Sequence, residues 1–199
     1  MSTVALRPAT PADGEFCFRL HRAAMREYVD AVRGWDDEEQ RAYHERAFAP
    51  GRWQIVTVDG ADAGLLIVEY RAREVYLARI ELHPDHQGRG IGAGLIRFLA
   101  GAAARRGQSL VLDVLAVNTR ALAFYRRHGF REEARHEEGG IKVRMRRPAA
   151  PPPGVGGRTA GGGSGGDGSG GGGAPQARGE EGGGGQDDRG VQGEDGVDA

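Results

Sequence analysis

Cysteine and lysine are almost missing from this 199-residue chain: Cys17 and Lys142 are the sole examples of their types. A single cysteine excludes a disulfide framework and a thiolate metal site, and no metal is expected. With one lysine among 27 basic residues, the basic complement is arginine, a bias that reads as a GC-rich genome rather than as phosphate recognition. No apolar run approaches the ~20 residues needed to cross a bilayer, so no membrane partner is expected. The first residues, Met1 to Ala5, lack the charged-then-apolar pattern of a secretory signal, and the expected location is the cytoplasm. Net charge is −1, and no stretch interleaves basic with aromatic residues, which argues against nucleic acid as a partner.

Aromatic residues are absent altogether after residue 147, where the composition changes abruptly. Residues 148–199 hold 21 of the 35 glycines and the run Pro151-Pro152-Pro153. Such a segment cannot bury enough apolar surface to offset its ordering entropy, so it reads as a disordered acidic tail. Residues 1–147 carry 24 basic and 20 acidic side chains against 3 and 8 in the tail. The first part has the size of one domain with one core.

Within residues 1–147 the pattern predicts a short strand at 3–8 and then a helix from about residue 11. Thr10, Pro11 and Asp13 supply a cap, a first-turn proline and an acid at the third position. Asp36 and Glu39 repeat the signal for a helix to about residue 48. Three β-rich runs at 53–59, 63–70 and 74–82, joined by short turns, predict an antiparallel meander. Ile91, Leu95 and Leu99 mark a helix over 90–106, stopped by Gly107. A buried strand at 109–114, a helix at 119–128 and strands at 131–136 and 141–147 complete the domain. The predicted fold class is α/β: a mixed, largely antiparallel sheet flanked by helices.

The stretch with most chemistry in it is Gln87-Gly88-Arg89-Gly90-Ile91-Gly92, between a strand and a helix. Its glycines let amide N–H groups converge at a helix N-terminus, where the aligned peptide dipoles favour a phosphate or pyrophosphate. Residues 88–93 also satisfy the dinucleotide fingerprint G-x-G-x-x-[GA]. That fingerprint, however, belongs directly after the first strand of a parallel βαβ unit, and here a loop and three antiparallel strands precede it.

Gln87-x-x-Gly90-x-Gly92, after a strand ending Ile80-Glu81-Leu82-His83-Pro84, resembles the acetyl-CoA turn of the GNAT superfamily of N-acetyltransferases. A second segment, Asn118 followed by Ala121, Phe124-Tyr125 and Gly129-Phe130, is similar to that family's later motif. The resemblance covers about residues 3–147. It implies a fold of the GNAT type and transfer of an acetyl group from acetyl-CoA to an amine on a small molecule or peptide. It further implies that the pyrophosphate rests on the amides of Gln87, Gly88, Arg89, Gly90, Ile91 and Gly92. The pantetheine arm would pair with the backbone at Ile80 and Leu82, with Asn118 touching that arm, capping the next helix, or both. Tyr125 matches the position that protonates the departing thiolate, against a plain reading as a packed core tyrosine.

For the general base, the resemblance leaves Glu81 and Asp113 both open, alongside a chain of waters. A carboxylate inside an apolar strand is costly unless paired or functional, and an ion pair of Glu81 with Arg79 is the bland alternative. The acceptor region, Tyr28 to Glu39, combines aromatics with acids that suit a cation. The same acids at 36–39 also simply favour a helix start. A binding module that keeps the turn but lacks turnover is the competing functional reading.

Overall fold

The structure, a computed structural model, describes residues 2–149. The expected tail therefore lies, but for its first two residues, outside the described residues. Seven strands form one sheet in the order β1-β2-β3-β4-β5-β7-β6. They are β1 (Val4–Pro8), β2 (Gln54–Val58), β3 (Ala61–Tyr70), β4 (Glu74–Leu82), β5 (Ser109–Leu115), β6 (Arg131–His136) and β7 (Lys142–Arg147). Every neighbouring pair is antiparallel except β4–β5. Helices α1 (Gly14–Arg33), α2 (Asp37–Ala47), α3 (Ile91–Arg105) and α4 (Thr119–Arg127) join them. The expected meander and element order hold, with ends shifted by a residue or two. One boundary differs in kind: Pro11–Asp13 is a 3-10 turn, and the α-helix begins at Gly14.

Helices cover both faces. α3 and α4 put Ile91, Leu95, Ile96, Leu99, Leu122 and Tyr125 against Val75, Leu77, Leu110, Leu112 and Val114 of the sheet. α1 lays Cys17 and Leu20 on Ile55 and Leu65, and Met25 and Val29 on Leu115. Fully burying one such leucine or isoleucine contributes roughly 1.5–3 kcal/mol, so these two layers hold the sheet in place. β5 is apolar on both faces, as a central strand flanked by helices must be, with Asp113 its one charged residue.

Two irregularities shape the middle of the sheet. Ile67 pairs with Arg79 but Val68 pairs with Leu77, so Ala78 is an extra residue in β4. This bulge reverses the alternation along the strand. Val75, Leu77, Ile80 and Leu82 consequently pack toward α3, while Tyr76 and Glu81 point to the other face. The second irregularity is a divide: β4 and β5 pair only from Glu74↔Ser109 to Leu77↔Leu112. Beyond that point β4 runs on through Leu82, and β5 through Leu115, without pairing to each other.

Candidate functional site

The α3–α4 side of the divide is made mostly of backbone. Gly88 and Gly90 take φ of 72° and 79°, the left-handed region that favours glycine, and Gly90 is the residue before α3. The first bonded amide of the helix is that of Gly94, which donates to the Gly90 carbonyl at 3.0 Å. Among the described residues, the amides of 88–93 have no hydrogen-bond acceptor. They are the orphan donors of a helix start, with the helix dipole behind them. Arg89 is exposed and makes no ion pair among the described residues.

Gln87 departs from the expectation. Its amide N–H donates to the Pro84 carbonyl at 3.1 Å, and its side-chain amide donates to the Leu82 carbonyl at 3.0 Å. Its backbone N–H and one side-chain N–H thus tie the turn to the end of β4. Ile80 and Leu82 sit on the part of β4 that has no strand on its β5 side. Asn118 caps α4, its side-chain oxygen accepting the Ala121 N–H at 3.0 Å. Tyr125 is buried, edge-on to Phe124 and Phe130 at ring separations of 5.2 and 5.4 Å. Burial alone pushes its phenol well above the ordinary 10, so the hydroxyl keeps its proton.

The α1–α2 side is made of titratable side chains. Glu81 is 2% exposed, and its Oε1 lies 2.7 Å from His21 Nδ1 on α1 and 3.7 Å from Arg79 Nε. Arg79 sits two residues before Glu81 on the same strand; His21 is the nearer partner. Burial pushes the Glu81 carboxyl up, but the His21 and Arg79 charges and the His21 bond outweigh it and hold the carboxyl below 4.5. Its Oε2 is buried with no hydrogen bond among the described residues. Asp113, the first residue of β5 beyond the paired segment, is 7% exposed. Its Oδ2 accepts the Tyr76 hydroxyl at 2.8 Å, and its Oδ1 lies 2.8 Å from His136 Nε2. Arg144 stands 3.7 Å from the same carboxylate.

His21, Tyr76, His136 and Arg144 were not among the residues singled out from sequence. His21 carried a readable signal, since Cys17, His21 and Met25 fall on the buried stripe of α1. The others did not, because their partners are strands apart. In the expected acceptor region, Asp36 caps α2 through the Glu39 N–H at 2.8 Å, and Asp30 takes the Trp35 N–H at 3.0 Å. Asp37 takes the Trp35 indole N–H at 2.9 Å. These three acids serve the helix start and the loop before it. Cys17 is fully buried and burial pushes its thiol up to about 12, so it stays a neutral thiol in the core. No group of three or more metal-ligating side chains, and no helix long and apolar enough to cross a membrane, occurs among the described residues.

Comparison with known proteins agrees with this geometry. Residues 17–130 match the sequence model of the Acetyltransferase (GNAT) family. Streptothricin acetyltransferase of Streptomyces lavendulae is 42% identical over 78 residues, covering 38% of this chain and 41% of that protein. The chain thus spans about two fifths of that relative. The [Ribosomal protein bS18]-alanine N-acetyltransferase of Escherichia coli K12 is 33% identical over 104 residues, 47% of this chain and 70% of that protein. In fold, PaiA N-acetyltransferase from Thermoplasma acidophilum, solved in complex with coenzyme A, superposes with a TM-score of 0.59 at 16% identity. That match covers 73% of this chain and 99% of PaiA. The chain belongs to the Acetyltransferase (GNAT) family and is an acyltransferase.

Proposed function

We propose that the protein transfers an acetyl group from acetyl-CoA to a primary amine carried by a small molecule or peptide, by direct attack in a ternary complex. The observation that carries the reading is the β4–β5 divide, with open amides on one face and two buried carboxylates on the other. The pyrophosphate would lie on the amides of residues 88–92 with Arg89 beside it. The pantetheine arm would follow the open edge of β4 at Ile80 and Leu82, past Asn118. This delivers the thioester into the divide, with the amine approaching from the α1 side. Cys17, buried and neutral, is unsuited to hold an acetyl group, which leaves direct attack.

The proton balance defines what the residues must do. An ammonium and acetyl-CoA give an amide, free CoA thiol and one proton. One proton therefore leaves the amine before attack, and a second is lost after attack as the thiolate gains one. Tyr125, which keeps its proton, would donate to the thiolate. Asp113, the first residue of β5 beyond the paired segment, lies at the root of the divide and would take the proton from the amine. Glu81 is the more deeply enclosed of the two carboxylates, 2% exposed against 7%. Calorimetric titration with CoA, followed by assay of free CoA release over a panel of amines, tests the reading. Binding without release from any amine would favour a sensing module instead.

A further inference from the structure

Each turnover puts one proton onto a base that is 93% enclosed, and that proton has to reach water while the divide is filled by the two substrates. Asp113 has three polar neighbours: Tyr76 on β4, Arg144 on β7 and His136 on β6. The Tyr76 ring is 4% exposed, its hydroxyl already donates to Asp113, and burial first, then the Asp113 charge, pushes its phenol above its ordinary value. Tyr76 cannot take a second proton. Arg144 is permanently charged and is engaged with Glu74 at 2.8 Å. His136 is different: its side chain is 39% exposed, while Nε2 lies 2.8 Å from Asp113 Oδ1.

We propose that His136 is a proton-relay residue that carries the acceptor's proton from the Asp113 carboxyl to solvent. The inference rests on the acetyltransferase reading above. The ammonium loses its proton to Asp113. Imidazole Nε2 takes it across the 2.8 Å contact, and the imidazolium releases a proton from Nδ1 to water. Asp113 returns to carboxylate, and the half-exposed ring resets by exchange with water. Histidine suits the task because its ordinary titration falls nearest neutrality. The charges surrounding the pair nearly cancel: Arg144 and Arg146 on β7 against Glu74 on β4 and Glu133 on β6, with Arg71 stacked on the Tyr76 ring at 3.8 Å. The Lys142–Glu137 ion pair lies at the strand end beside His136, opposite it in register.

The test uses the full chain in weak buffer near neutrality, with free CoA as readout. His136→Ala should lower kcat by about tenfold, less than the roughly 10²–10⁴-fold of a group that exchanges a proton with the substrate itself, and leave the KM for acetyl-CoA within twofold. Added imidazole should restore the variant's rate and leave the unaltered protein's rate unchanged. His136→Gln retains a hydrogen-bond donor for Asp113 but cannot carry a proton, so it should stay slow. Full activity in His136→Gln, or a loss in His136→Ala that imidazole fails to mend, overturns the relay. If the unaltered protein releases CoA and both variants match it, only the relay falls. If it releases none with any amine, the acetyltransferase reading falls and takes the relay with it.

Discussion

On the α3–α4 side of the divide the working groups are main-chain amides, two left-handed glycines and apolar rings around Tyr125. On the α1–α2 side they are two carboxylates, each held by a histidine: Glu81 by His21 and Asp113 by His136. One face thus depends on backbone conformation at consecutive residues. The other depends on side chains brought together from distant parts of the chain. A ligand shared by a whole family can be bound by backbone, which leaves the side chains of the opposite face free to differ with the acceptor.

If that contrast is right, the largest single effect on stability should come from the α1 side, at Glu81. Glu81→Ala removes the carboxylate from the 2.7 Å buried contact with His21 Nδ1, and removing one partner of a buried ion pair costs about 3–5 kcal/mol. Thermal unfolding should show a correspondingly large drop. The sign of the pH dependence follows from the depressed carboxyl. Its contribution is fully present above 4.5 and is lost as pH falls through the lower folded value. Glu81→Gln should therefore match the unaltered protein's stability better at pH 3 than at pH 7. A variant that keeps its melting temperature but loses kcat would instead make Glu81 the base.

Next in size is Tyr125→Phe, which probes the apolar side for chemistry rather than packing. One oxygen is removed from a buried ring, so fold and CoA affinity should hold. We expect kcat to fall by about 10²-fold, the low end for a lost proton donor. Because burial raises the phenol, the high-pH limb of the rate profile should stay where it is while the plateau drops. An unchanged kcat would reduce Tyr125 to a core residue.

The same contrast explains what could be read without the structure. The glycine turn and Asn118 were legible because their spacing is local and each answers a backbone demand, and Tyr125 because it stands in the same local frame as Asn118. Asp113 stood out as the lone charge in an apolar strand. The partners were hidden: His21 and Glu81 are 60 residues apart, and Tyr76 and Asp113 are 37 apart. Tyr76 was hidden twice, because plain alternation puts it on the face of Ile80 and Leu82 until the bulge at Ala78 is counted. Gln87 was legible as part of a motif, but its bond to Leu82 could not be foreseen from spacing.

A smaller effect is expected at Gly90. A Cβ there meets nothing within 4 Å, yet φ of 79° is strained for any β-branched residue. Gly90→Val should keep the fold with a loss of about 1–2 kcal/mol, and weaken CoA binding about tenfold as the amides are displaced. Calorimetry on the folded variant reads both changes. Undiminished CoA affinity would remove the turn from the donor site.

The smallest effect should be at Gly92, only two residues on, and it is the sharper control. Gly92 lies inside α3 with ordinary helical backbone, and a Cβ there would sit 3.6 Å from the Phe124 ring, normal van der Waals distance. Gly92→Ala should raise stability by about 0.4–1 kcal/mol, since alanine fits this backbone conformation and has fewer unfolded conformations to lose than glycine. CoA affinity should stay within about twofold, because the amide direction is unaltered and a methyl group leaves the N–H exposed. If Gly92→Ala weakened CoA as strongly as Gly90→Val, the cause would be crowding near Phe124 rather than backbone conformation. The donor face would then be a side-chain pocket like its opposite, and the contrast between the two faces would not stand.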